Sequence, residues 1–253
     1  MNREINALLE GMFKGEEASL GQLMTLVEAD LSNIPEIMGR ISPRLGNSYQ
    51  LGITGSQGVG KSTLVDQLIP LARKDGLSVG VIAVDPSSAI TGGALLGDRV
   101  RMQHHSLDNE VFIRSMATRG KSGGLSQAVS IGVKLLEAFG KDMIMVETTG
   151  VGQTEVDIKD VVDTVMAIFT PECGDSIQFM KAGLLEIADI IVVNKADCGA
   201  ADLLASEIRD LLSIGSKSKK QVSIFTAQAN GSIGINELYQ EISRQRLSKR
   251  RQG

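Results

Sequence analysis

Tryptophan is absent from the 253 residues, and aromatic side chains together make up 3%. A protein that holds single-stranded nucleic acid by stacking bases on aromatic rings needs more platforms than that. Excess positive charge is lacking too. Lys and Arg number 26 against 30 Asp and Glu, a formal charge of -4, so no global field recruits nucleic acid or an anionic membrane surface. Cysteine occurs only at Cys173 and Cys198, too widely spaced for a CxxC unit and too few for a disulfide scaffold or a zinc cage. No apolar run approaches the roughly 18 residues needed to span a bilayer. The start, Met1-Asn2-Arg3-Glu4, leads into charged sequence rather than the apolar core of a signal peptide. The expectation is a soluble, unexported protein of the reducing cytoplasm, with neither nucleic acid nor membrane as partner.

What is present suits a large folded domain: 42% of residues are hydrophobic and 22% charged, ample material for a core. Residues 1–46 carry helical spacing, with Ile5, Leu8, Leu9 and Met12, then Leu20, Leu23, Met24 and Val27, then Ile34, Ile37, Met38 and Ile41. From Tyr49 onward, short β-rich runs alternate with helical patterns. Strands are predicted near 50–54, 79–84, 111–115, 142–147, 163–169, 189–193 and 222–226, and helices near 61–74, 125–139, 199–213 and 234–246. That alternation predicts an α/β fold with a mostly parallel central sheet of about seven strands flanked by helices. The domain is expected over 47–240, after the helical segment 1–46 and before a basic, frayed tail over 241–253. Between Asp85 and Asp108 the chain has turn residues and no periodicity, and so long a loop is usually functional.

The strongest signal is GSQGVGKS at 55–62, directly after the strand Leu51-Gly52-Ile53-Thr54 and directly before a helix. This is the phosphate-binding loop of a P-loop NTPase in its required setting. Gly55, Gly58 and Gly60 let backbone N–H groups wrap a phosphate chain, and the N-terminus of the helix adds its positive dipole end. Gly55, Gly58, Val59, Gly60, Lys61, Ser62 and Thr63 are therefore predicted to bind the nucleotide. Lys61 would reach the β- and γ-phosphates, and the Ser62 hydroxyl would take one Mg²⁺ position.

NKAD at 194–197 follows the apolar strand Ile190-Ile191-Val192-Val193. Asp197 can accept hydrogen bonds from both N1–H and the 2-amino group of guanine, a donor pair that adenine lacks, so GTP and GDP are the expected ligands. Asn194 would tie this loop to the phosphate loop, and the Lys195 stem would lie over the base plane. Thr226, Ala227 and Gln228, at the end of the last strand, would offer backbone N–H groups to guanine O6.

Glu147 ends the strand Met143-Ile144-Met145-Val146 and opens ETTGVGQTE, at the edge of the sheet where ligands bind in open α/β folds. Its carboxylate would orient the Mg²⁺ shell or the attacking water, and Gly150 and Gly152 would let the loop reorder around a γ-phosphate. Gln153 is a second candidate for positioning water. Asp85 ends another apolar strand and Asp98 sits in Gly97-Asp98-Arg99; both can serve Mg²⁺, although Asp98 also reads as a helix cap. His104 and His105, adjacent and without a third metal-binding side chain, read as a surface pair.

With these motifs in hand, AVDPSSAITGGALLGDRVRM (83–102), VETTGVGQTE (146–155) and GDSIQFMKAGLLEIADIIVVNKAD (174–197) resemble the MeaB/ArgK family of P-loop GTPases over nearly the whole chain. The resemblance implies a Mg²⁺-dependent, homodimeric GTPase. Such proteins act as chaperones of an adenosylcobalamin-dependent acyl-CoA mutase, gating its cofactor delivery and protecting it from inactivation. It further implies that Lys61, Asp85, Asp98 and Glu147 are the catalytic set, that Ser62, Asp85, Asp98 and Glu147 hold the metal, and that Gly174 to Leu185 form an additional switch. Two departures stand out: GSQGVG replaces the commoner GxPGxG, and the sequence ends at Gly253 without the longer helical arm through which many members dimerise. The alternative reading is a nickel-insertion GTPase, which needs a Cys/His site that Cys173 and Cys198 lack locally. A cobalamin carrier finds no Asp-x-His-x-x-Gly segment.

Overall fold

The computed structural model describes residues 3–85, 105, 107–117, 127–150, 154–171, 183–215 and 222–250. Seven strands lie among them: β1 (Tyr49–Thr54), β2 (Val79–Asp85), β3 (Val111–Ala117), β4 (Met143–Glu147), β5 (Thr164–Phe169), β6 (Ile190–Val193) and β7 (Ser223–Thr226). They form one sheet in the order β3-β2-β4-β1-β5-β6-β7. The pairs β2 with β3, β1 with β5, β5 with β6 and β6 with β7 all run parallel. β2, β4, β5 and β6 are buried at every residue, as strands covered by helices on both faces must be, and this is why they read as continuous apolar runs. β7, at one edge, is only half-buried.

The chain divides into two compact units, described in turn: Met1–Gln50 with Ala72–Val146, and Leu51–Leu71 with Glu147–Gly253. In the first, helices α1 (Arg3–Phe13), α2 (Glu17–Ala29) and α3 (Ile34–Ile41) pack on one another and on α5 (Gln127–Phe139). Their spaced apolar residues form the contact: Ile5, Leu9, Met12, Leu20, Leu23, Met24, Val27, Ile34, Ile37 and Ile41 are buried. Two charged groups fix this layer. Arg114 on β3 pairs with Glu28 of α2 at 2.9 Å and also donates to the Gly21 carbonyl, while the other Glu28 oxygen accepts the Ala117 N–H at the end of β3. Glu137 of α5, buried, accepts the backbone N–H groups of Gly46, Asn47 and Ser48 on one oxygen, at 2.8, 2.9 and 3.1 Å. Those three donors immediately precede β1, so a single carboxylate sets where the chain enters the sheet.

In the second unit, α4 begins (Lys61–Lys74), and two single-turn helices, α6 (Thr154–Asp157) and α7 (Leu184–Ile187), flank β5. A Cβ at Gly52 of β1 would lie 2.6 Å from Ile158 Cδ1 and 2.9 Å from Val162 Cγ2, so any larger residue there would have to displace the side chains that the segment after α6 packs on the strand. Helices α8 (Ala201–Gly215) and α9 (Ile235–Arg250) complete the unit. The basic stretch expected to fray is helical to Arg250, with Arg246 buried and Arg244 bonded to Glu241.

Glu241 also accepts from Ser223 of β7 and from Gln245. The Arg244 hydrogen bond holds its carboxyl well down, against the upward push of burial and with help from Gln245 and Ser223, to about 2 from 4.5. A carboxyl lowered on folding stabilises the native state fully above its unfolded value and loses that contribution as pH falls through the folded one. Glu241→Gln should therefore cost about 1 kcal/mol at neutral pH, given solvent screening of a partly open pair. It should also flatten the fall of Tm between pH 4.5 and 2. Thermal melts across that range decide it: parallel curves for wild type and variant would show that Glu241 does not link β7 to α9 electrostatically.

Candidate functional site

The loop from Gly55 to Gly60 joins β1 to α4, and its glycines are required by the backbone. Gly55, Gly58 and Gly60 have φ of 140°, 82° and 96°, a region that favours residues without a Cβ. At Gly55 a Cβ would strike the Ile168 carbonyl of β5, and at Gly60 it would strike the Asn194 carboxamide. The first intrahelical bond runs from Leu64 N–H to the Gly60 carbonyl, so the N–H groups of Lys61, Ser62 and Thr63 precede it as the donors of the helix N-terminus. Lys61 is 6% exposed. Its ammonium donates to the carbonyls of Gly55 at 2.9 Å and Ser56 at 3.0 Å, which pins a positive charge at the mouth of the loop.

The segment after β4 meets this loop. The Ser62 hydroxyl donates to Glu147 Oε1 at 2.6 Å, and Glu147 is buried at the strand end. Thr148 gives its N–H to the Ile53 carbonyl at 3.0 Å and its hydroxyl to Thr54 Oγ1 at 3.2 Å. Gly150 comes so close that a Cβ there would lie 2.7 Å from both Lys61 Nζ and the Gln57 nitrogen. With φ of 81° as well, no other residue fits. The arrangement brings a fixed ammonium, a hydroxyl, a buried carboxylate and a row of backbone donors to one place. It can cradle an anion of several oxygens beside a hard cation.

Asn194 connects a third segment. It is 3% exposed, donates from Nδ2 to the Val59 carbonyl at 2.8 Å and accepts the Ala229 N–H on Oδ1 at 3.1 Å. One carboxamide thus bridges the phosphate loop and the turn after β7. Lys195 takes a left-handed conformation, φ 58°, which turns the chain into the 3-10 turn Ala196–Cys198. Asp197 sits in that turn and is exposed.

Several expectations need revision. The Ala227 N–H is bonded to the Val193 carbonyl at 2.9 Å and the Gln228 N–H to the Ile233 carbonyl at 3.0 Å. Both donors are committed to the sheet edge and its turn rather than offered to a base. The residue of this turn that reaches the site is Ala229, which alanine's lack of chemistry hid in the sequence. His105 is buried rather than on the surface. Asp85 is buried at the end of β2, in register with Ala117 of β3 within the first unit. Asp98, His104, Gly152, Gln153, Cys173 and 174–182 lie outside the described residues.

Residues 20–253 match the family of methylmalonyl-CoA mutase-associated GTPases, MeaB. A Pyrococcus abyssi relative that carries a GTPase name is 50% identical over 253 residues, covering 98% of this chain and 78% of its own. The crystal structure of a LAO/AO transport system kinase aligns with a TM-score of 0.76 and 29% identity over 100% of this chain and 78% of that one. Helicobacter pylori HypB in complex with nickel aligns with a TM-score of 0.59, covering 85% of this chain and 93% of that one; at 15% identity the likeness is one of fold alone. Among the described residues no helix is long and apolar enough to cross a membrane. The glycine-shaped phosphate loop, the asparagine bridge behind it and the family match lead to one conclusion: the chain belongs to the MeaB family, and it is a GTPase that binds guanine nucleotide and hydrolyses GTP.

Proposed function

We propose that this GTPase serves as a nucleotide-gated chaperone of an adenosylcobalamin-dependent acyl-CoA mutase of the methylmalonyl-CoA mutase type. In this reading it works as a homodimer, in the cytoplasm, with Mg²⁺. The observation that supports a switch most directly is the 2.6 Å bond from Ser62 to Glu147. It joins the start of α4 to the first residue of the ETTGVGQTE segment, so what happens at the phosphates is felt where that segment leaves the sheet. The mutase itself comes from the family description.

The donor set suits Mg²⁺. With its proton directed to Glu147, Ser62 Oγ can meet a cation only through lone pairs, and Glu147 brings a buried carboxylate beside it. Mg²⁺ favours this kind of site, with one or two protein oxygens and the rest from phosphates and water, over an all-protein cage. Ser62 and Glu147 would hold it. When bound, it would neutralise charge that builds on the β- and γ-phosphate oxygens.

The remaining steps belong to the chain. Backbone N–H groups from Gly58 to Thr63 and the Lys61 ammonium hold the phosphates in line for attack. Glu147 orients water or the metal shell. The water oxygen bonds to the γ-phosphorus as the bond to the β,γ-bridging oxygen breaks, and GDP and phosphate leave. Asn194 keeps the Val59 carbonyl and Ala229 in place, while Asp197 reads N1–H and the 2-amino group of guanine.

Hydrolysis by the protein alone should be slow, about 10⁻³–10⁻² s⁻¹. A mutase should accelerate it by acting on the segments 85–108, 147–155 and 174–185, so that the catalytic groups are better positioned for attack. If the mutase and the nucleotide bias the same segments, GDP and a non-hydrolysable GTP analogue should give different mutase affinities, and the mutase should alter the affinity ratio of the two nucleotides by the same factor. GTP turnover with and without an adenosylcobalamin-dependent acyl-CoA mutase from the same genome, alongside binding in each nucleotide state, tests both. Turnover indifferent to every such mutase, with equal affinities in the two states, would leave a GTPase without this role.

A further inference from the structure

Gly150 marks a place at the mouth of the phosphate loop where polar atoms converge. A Cβ built on it would stand 2.7 Å from Lys61 Nζ, 2.7 Å from the Gln57 nitrogen and 2.8 Å from the Gly55 carbonyl oxygen. Two nitrogens at hydrogen-bonding distance mark the side on which an oxygen is received. The Gly55 carbonyl, already bonded to Lys61, bounds it. The point is one bond from the Gly150 Cα, so a ligand oxygen takes this place only as Gly150 draws back.

The side chains around it are engaged within the protein. Lys61 donates to the Gly55 and Ser56 carbonyls, Ser62 to Glu147, and Asn194 links Val59 to Ala229. Gln57 takes part in none of these bonds, and its side chain is exposed. Its φ is not in the positive range that the loop imposes on Gly55, Gly58 and Gly60, so the backbone makes no demand on residue type there. The commoner GxPGxG pattern has proline at this position, with neither an N–H nor a side-chain donor. This chain supplies both.

The reach is sufficient. The Gln57 Cα is one bond of about 1.5 Å from its nitrogen, which puts the place beside Lys61 within the length of a glutamine side chain. A carboxamide carries two N–H donors and no charge to repel a phosphate.

We propose that Gln57 is a further catalytic residue of GTP hydrolysis, its Nε2–H donating to a γ-phosphoryl oxygen beside Lys61. Gln57 exchanges no proton. Water still bonds to the γ-phosphorus as the bond to the bridging oxygen breaks, while the carboxamide stabilises charge on an equatorial oxygen. The assignment rests on the placement of the phosphates proposed above and is independent of the mutase.

Single-turnover hydrolysis, with titrations of GDP and a non-hydrolysable GTP analogue, tests it. Gln57→Ala should slow hydrolysis at saturating GTP by about tenfold, less than a donor in a dry site is worth, and leave GDP affinity within about twofold of wild type. Gln57→Glu keeps the length but sets a negative charge against the γ-phosphoryl group, so it should weaken the analogue at least tenfold relative to GDP. A residue that only held the loop would move both nucleotides together, and that result would overturn the proposal. Faster turnover in Gln57→Ala would overturn it too, since the side chain would then obstruct the reaction. Lys61→Ala separates the premise from the inference. Nucleotide affinity retained in that variant would remove the phosphates from this loop altogether. Affinity lost there, with both Gln57 variants matching wild type in rate and in analogue-to-GDP ratio, would remove Gln57 alone. Because Gln57 is exposed, neither of its variants strips a buried contact from the fold.

Discussion

Lys61→Ala should weaken binding of GTP and GDP alike by about 100- to 1,000-fold, the effect of truncating one partner of a desolvated charge pair. The ammonium is clamped by the Gly55 and Ser56 carbonyls, so its place at the mouth of the loop exists before any ligand arrives. Alanine removes the charge and also leaves those carbonyls without their donor. Glu147→Ala is expected to behave differently, with nucleotide affinity close to wild type and turnover reduced by about 10²-fold or more, because an acid that serves the metal or the water acts mainly in the transition state. Fluorescent-GDP titration and single-turnover hydrolysis separate the two. Two variants that both lost binding and nothing else would break this division of labour.

Asp197→Asn should exchange one base for another. The carboxylate accepts from two donors on guanine, whereas a carboxamide offers one acceptor and one donor. That pattern fits xanthine, whose N1–H donates and whose O2 accepts. Sites built around paired hydrogen bonds discriminate by roughly 10⁴, so the ratio of GTP to xanthosine triphosphate affinity should swing by about that factor. Because Asp197 is exposed without ligand, the swing also reports how completely the bound base covers it. Unchanged GTP affinity in the variant would take guanine reading away from this residue.

Much of this architecture is legible in the residues themselves. The seven strand positions agree with the structure to within two residues, because strands buried on both faces leave unbroken apolar runs bounded by turns. Their order in the sheet is not readable that way: parallel crossovers allow any strand to skip its neighbour, and β1 ends beside β5. The helices at 154–157 and 184–187 are single turns, too short to show a period. Glu137 looks like a solvated helix acid in VKLLEAF, and its burial depends on three N–H groups about 90 residues away in the chain. Site residues whose side chains act, Lys61, Ser62, Glu147 and Asn194, announce themselves by type and spacing. Ala229 contributes only a backbone donor, and at that level all residues look alike.

The Asn194 bridge has a consequence for which molecules the site will tolerate. The same planar amide faces the phosphate loop with its nitrogen and the turn after β7 with its oxygen, and it cannot rotate to suit one without abandoning the other. A guanosine lacking phosphates, or a triphosphate carrying the wrong base, meets one of these two segments yet still requires both to be held in place. Fragments of GTP should therefore bind far more weakly than their share of the contacts suggests, so that the pocket answers to the whole nucleotide rather than to either end of it.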